Sequence, residues 1–96
     1  MNKKWVLVGF THEIAREVMD DIESSCGKTV SRRIRSKYEL RTEFTDGTVL
    51  RHMRASDSIR GYKFDKMWCD KTIDEEYLHR VIIPMYLGKL ADIIWL

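Results

Sequence analysis

A chain of 96 residues has room for one domain, and at this size folding hides roughly 60 to 70% of the unfolded surface, so its stability is modest. Apolar residues at 44%, charged residues at 33% and one proline beside five glycines exclude a disordered chain and fit an ordinary globular one. The net charge of +2 is too small to mark a nucleic-acid binder by itself, so the distribution of charge has to decide.

In chain order, "WVLVGF" at residues 5 to 10 is a continuous apolar run of strand length, the pattern of a strand buried on both faces in the middle of an α/β sheet. A helix follows. Thr11 is placed to cap it, Glu13 and Glu17 suit the positive end of its dipole, and Ile14, Val18 and Ile22 with Ala15, Met19 and Cys26 recur at helical spacing. "SSCGKT" ends it, with Gly27 as the left-handed residue past the last turn and Lys28 complementing the negative end of the dipole. Gly27-Lys28-Thr29 is also how a phosphate-binding P-loop ends. Such a loop runs strand, loop, helix, and its first glycine falls where this chain has Ile22. Here the helix comes first, so the glycine reads as a helix stop.

From Val30 to Arg54 the period drops to two. Arg32, Arg33 and Arg35 lead into a hairpin in which Tyr38, Leu40, Thr42 and Phe44 alternate with Glu39, Arg41 and Glu43, and Asp46-Gly47 makes a two-residue turn. That turn sets Phe44 opposite Val49 and Leu40 opposite Met53. It also pairs Glu39 with Arg54 and Arg41 with His52 on the outer face, and leaves Arg51 an intruder on the apolar side.

Residues 55 to 62 read as an exposed loop and residues 63 to 70 as another strand, with Phe64, Met67 and Trp68 apolar. Thr72 and Glu75 fit a capping box for a second helix, whose apolar face is Leu78, Val81, Ile82 and Met85 and whose end lies near Pro84. The final "ADIIWL" fits either a last strand or a terminal helical turn. The expected fold is a single small α/β domain over residues 1–96, with two amphipathic helices on a mixed sheet of about five strands in the order β-α-β-β-β-α.

Cys26 and Cys69 lie far apart with no CxxC, and no leader pattern opens the chain, so a reducing cytoplasm is expected. The longest apolar stretch is broken by Pro84, Gly88, Lys89 and Asp92, which leaves no membrane segment. His12, His52 and His79 are scattered without metal-ligand spacing, so neither a metal nor a cofactor is expected. Cys69, inside an apolar strand, reads as a packed thiol, and Asp74, Glu75 and Glu76 as a helix start.

The cations are unevenly spread: residues 31 to 63 hold nine Arg and Lys against four Asp and Glu. Arg32, Arg33, Arg35, Arg41, Arg54 and Arg60 group along the hairpin and its neighbouring loop, and such a group can bind phosphates or a partner. Glu39 and Glu43 share the outer face, so the segment reads first as a solvated mixed-charge sheet and second as a nucleic-acid surface. Trp5, Phe44, Phe64 and Trp68 fall at core positions and offer no stacking platform.

The segment "FTDGTVLRHMRASDSIRGYKFDKMWCDKTIDEEYLHRVIIPM" resembles the middle of the ATPase domain of phage large terminase subunits. The matching features are the Asp46-Gly47 hairpin, the Ser-rich loop Ser56 to Ser58 ending in Arg60-Gly61, the apolar strand Met67 to Asp70, and the helix end Val81 to Pro84. "WVLVGFTHEIAREVMDDI" is similar to the strand and helix that follow the P-loop helix in that family, and "ADIIWL" to the strand after its acidic motif.

The resemblance implies that the family's P-loop would lie before residue 1. It also makes Asp70 the counterpart of the Mg²⁺-supporting aspartate, and puts Lys71 where the water-activating glutamate belongs. A lysine ammonium is no base at neutral pH without a large pKa shift. The expectation is therefore a phage-type protein of the host cytoplasm that turns over no nucleotide. It would bind and inhibit or regulate a nucleic-acid-handling protein or nucleoprotein complex, as an anti-CRISPR-type inhibitor does. The alternatives are a direct DNA- or RNA-binding accessory factor and a degenerate ATPase that needs a second chain to supply the P-loop. Strand edges and an apolar face left uncovered by the missing P-loop elements would also favour a homodimer.

Overall fold

In the computed structural model, residues 3–54 and 63–96 are described. Among them, β1 (Lys4–Val8), β2 (Val30–Arg35), β3 (Leu40–Phe44), β4 (Val49–Met53), β5 (Lys66–Cys69) and β6 (Ile94–Trp95) form one sheet in the order β2-β3-β4-β1-β5-β6. β2, β3 and β4 make an antiparallel meander, while β1 runs parallel to both β4 and β5, and β5 parallel to β6. The expected small α/β domain with a mixed sheet is thus present, with six strands rather than about five. "VSRRIR" is itself an edge strand instead of a lead-in, and the C-terminal residues take the strand alternative.

β1 sits at the centre because its residues are apolar on both sides. Trp5 and Leu7 point to one face, into a cluster with Leu40, Phe44, Leu50 and Trp68; Val6 and Val8 point to the other, with Met53, Phe64, Met67 and Cys69. α1 (His12–Ser25) covers the first face through Ala15, Met19 and Ile22. Thr11 Oγ1 caps it by accepting from the Ile14 N–H at 3.3 Å, and the chain leaves it at Gly27 with φ of +75°, as a helix-stopping glycine should. Lys28 reaches past the helix end to pair with Asp46 and to lie 5.5 Å over the Trp5 ring.

The second face is covered by one helical run, residues 75–85, in three segments: α2 (Glu75–Tyr77), a π-helical turn (Leu78–Ile82) and α3 (Ile83–Met85). The cap differs from the expected Thr72–Glu75 box. Asp74 Oδ2 accepts from the Tyr77 N–H at 3.2 Å, while Thr72 is held back by Asp70. The widened turn suits Pro84, which has no N–H for the ladder and whose ring clashes with the carbonyl four residues back in an α-helix. Ile82 and Met85 bury against the sheet, with Leu78 and Val81 packed beside them.

The hairpin register differs by one residue from the expected one. Three residues, Thr45, Asp46 and Gly47, form the connection. The Phe44 N–H donates to Thr48 O at 2.9 Å, Asp46 Oδ1 accepts from the Thr48 N–H at 2.9 Å, and Gly47 takes φ of +89°. A three-residue loop with a left-handed glycine is the next commonest hairpin after the two-residue kind, and it shifts every cross-strand pair. Thr42 therefore faces Leu50 and Arg41 faces Arg51, so Leu50 enters the α1-side core and Arg51 turns to the other face, level with Val6 and on the side of Met53.

Candidate functional site

β1 leads through α1 to β2 at one edge of the sheet, whereas β5 leads through the helical run to β6 at the other edge, on the opposite face. The carboxyl ends of β1 and β5 thus border the point where the connections diverge, the usual crevice for ligands in open α/β sheets. The two ends are in tight contact there. A Cβ on Gly9 would come within 2.7 Å of Asp70 Cβ, and Gly9 takes φ of +92°, so only glycine fits. Phe10 follows at φ of +69°, a left-handed conformation costly for a bulky side chain. His52 Nε2 shares a 2.7 Å hydrogen bond with Gly9 O, which ties β4 into the same corner.

Asp70 stands, as expected, at the end of an apolar strand. Its Oδ1 accepts from the Thr72 N–H at 2.9 Å and from Thr72 Oγ1 at 2.8 Å, a side-chain turn that directs the chain toward α2. Lys71 is exposed, and its backbone N–H donates to Leu96 O at 3.1 Å.

The six arginines do not form one surface. Arg33 and Arg35 point to the α1 face, where Glu23 binds both: Arg33 Nε donates to Oε1 at 2.5 Å and Arg35 Nη2 to Oε2. Arg35 also donates to Thr42 Oγ1 at 3.1 Å and to the Arg41 carbonyl at 3.1 Å. Arg41 lies on the opposite face, 3.6 Å from Glu39 and 3.3 Å from Glu43; the latter approach is an ion contact whose angle makes no hydrogen bond. The expected outer-face partnership of Arg41 with His52 is absent, because the shifted register sends His52 to the α1 side with Leu7. Arg32 is exposed on the edge strand with Glu43 as its cross-strand neighbour, Arg54 is exposed at the end of β4, and Arg60 lies outside the described residues.

Glu23 is the residue that sequence reasoning missed. Its side chain is only 4% exposed, and the available signal was its place four residues after the core residue Met19, on the buried stripe of α1. A buried carboxylate needs partners, and two arginines and a threonine supply them.

Among the described residues, no group of three His, Cys, Asp or Glu is placed to hold a metal ion, and no helix is long and apolar enough to cross a membrane. Cys69 is buried, and burial, with the Asp70 carboxylate beside it, pushes its thiol up to about 12.

The apolar surface left in solvent concentrates at the C-terminal strand. Ile94 and Trp95 of β6 and Leu96 just after it are 37, 42 and 40% exposed, and the outer edge of β6 pairs with nothing among the described residues. Compared with protein-family models, curated proteins and solved structures, the chain matches none.

Proposed function

We propose that the chain acts by binding rather than by phosphoryl transfer. It would be a terminase-like α/β module of phage type that works in the host cytoplasm, docks on a nucleic-acid-handling protein or nucleoprotein complex, and inhibits or regulates it in the manner of an anti-CRISPR or other anti-defence inhibitor. The observation that carries this reading is the edge of β6, unpaired among the described residues, where Ile94, Trp95 and Leu96 are exposed, since apolar side chains beside an unpaired strand mark a contact site. Two features of the acidic motif support it: the Asp70 carboxylate is engaged in its own turn with Thr72, and Lys71 stands where a motor enzyme needs a base. The test is affinity capture from host lysate with the tagged chain, followed by mass spectrometry. Recovery of a nuclease or nucleoprotein is expected, and its absence would remove the reading.

A second reading, a direct nucleic-acid-binding factor, draws on the exposed Arg32 and Arg54. Fluorescence anisotropy with labelled DNA and RNA separates the two. Binding that falls steeply with salt and weakens in Arg54→Glu would favour direct contact, because each lost phosphate contact flattens the salt slope.

A further inference from the structure

β2 is held to the molecule differently from β1, β3, β4 and β5, each of which buries at least two side chains. It lies at the edge of the sheet and pairs only with β3, and the pairing slips between Val30 and Arg32, where Ser31 Oγ donates to Glu43 O at 3.0 Å. None of its side chains is buried, and Val30 alone packs against a core cluster. β3 beside it buries Leu40, Thr42 and Phe44.

Charge takes the place of apolar packing. Residues 28 to 37 carry Lys28, Arg32, Arg33, Arg35 and Lys37 and no acid. Arg33 and Arg35 are tied to the body through Glu23 of α1, which also accepts from Thr42 of β3. The flanks are tied separately: the Thr45 N–H donates to Thr29 O at 2.9 Å, and His12 Nε2 shares a 2.7 Å hydrogen bond with Ser36 O. Between those two points the strand depends on its ladder with β3 and on one carboxylate. In water the net gain from a backbone hydrogen bond is close to what it costs to fix the residue that makes it, so a ladder with no buried side chain on the edge strand is near neutral and the pull of Glu23 decides. Lifting β2 lets water reach Glu23, Arg33 and Arg35 together, and no fully buried apolar side chain leaves the core with it. We propose that β2 is a strap that lifts from β3 within the folded state, with Glu23 as its latch. With the strap up, the outer backbone groups of β3 are bare, and an unpaired strand whose inward side chains are already packed is a template for a strand of another chain. The device belongs to the chain alone, so it stands or falls apart from the binding reading above.

The test is native-state hydrogen exchange of the full chain, read amide by amide by NMR in urea well below the unfolding transition. Amides that bond β2 to β3 should exchange about tenfold or more faster than those of β1, at a rate flat in urea, because lifting one strand exposes little surface. Those of β1 should accelerate steeply with urea, since they open only with the whole fold. Glu23→Gln should speed the β2–β3 amides about a hundredfold, the size expected from breaking a buried ion pair. Ile82→Val, in the core of the opposite face, should speed the β1 amides severalfold and leave the β2–β3 amides as they were.

A common rate and urea slope for the β2–β3 and β1 amides would mean that the strand leaves only when the fold does, and would overturn the proposal. An Ile82→Val chain in which both sets accelerate alike would do the same. Unchanged β2–β3 exchange in Glu23→Gln would remove Glu23 as the latch. If that variant fails to fold, the natural chain and Ile82→Val decide between the strap and a strand that opens only with the whole.

Discussion

Glu23 of α1 and Arg35 of β2 form an ion pair inside the molecule, with side chains only 4 and 14% exposed. Thr42 Oγ1 donates to the same carboxylate at 2.8 Å, and Arg33 holds its other oxygen. Removing one partner of such a pair strands the other charge in a low-dielectric site, whereas replacing both by apolar groups can be neutral. Glu23→Ala should therefore cost about 3 kcal/mol in urea unfolding. A doubly apolar Glu23→Leu, Arg35→Leu chain should recover most of the loss; if the double variant is as unstable as the single ones combined, the pair is not acting as a unit.

Gly9 and Gly27 separate two reasons for a glycine. Both have positive φ, but a Cβ at Gly27 meets nothing within 4 Å while one at Gly9 meets Asp70 Cβ at 2.7 Å. Gly27→Ala should cost about 1 kcal/mol, the backbone term alone, and Gly9→Ala clearly more. Thermal denaturation of the two variants checks the order, and equal shifts would mean that the β1–β5 corner yields easily.

Asp46 gives a pH dependence of known sign. The hydrogen bond from Lys28, then those from Thr48, hold its carboxyl well below the usual carboxylate range. A depressed folded-state pKa adds stability that is fully present above the ordinary value and fades as the carboxylate is protonated. Asp46→Asn keeps an oxygen for the Thr48 N–H but puts an NH2 where Oδ2 accepts from Lys28, so it loses the charge and the hydrogen bond from Lys28. The variant should be slightly less stable at pH 7, and the gap should close as the pH falls from about 5 toward 2.

Cys69 should be inert in the folded chain. With its thiol pushed up to about 12 by burial, almost none is thiolate at neutral pH, and the thiolate is the reactive form. A native sample treated with iodoacetamide should be labelled at the partly exposed Cys26 and take a second label only in urea; mass spectrometry of the peptides distinguishes the sites.

The elements most legible in the sequence were those built on apolar periodicity: the β1 run, the α1 stripe, the helix-stopping Gly27 and the face of residues 78 to 85. β2 was not legible as a strand because its core-side residues are Arg33 and Arg35, matched to a buried Glu23 that lies on another element. A charge cluster had replaced the apolar alternation that marks a strand. The hairpin register failed on one residue of turn length, since "FTDGTV" suits a two- or a three-residue loop and only packing across the sheet chooses between them. The arginine group illustrates the same limit: residues adjacent in sequence alternate between faces in a strand, and Arg32 and Arg33 part company for that reason alone.

The first strand of the sheet is also its middle one. β1 gains its neighbours only from residues 49–53 and 66–69, so the most apolar stretch of the chain has no strand partner until residue 49 is made and lacks its second until residue 66. Loop closures of that length slow folding. A nascent chain halted before residue 66 would carry Trp5 to Val8 half-covered, a ready substrate for a chaperone or for another nascent copy, so for this protein the strand made first is the one that waits longest to be enclosed.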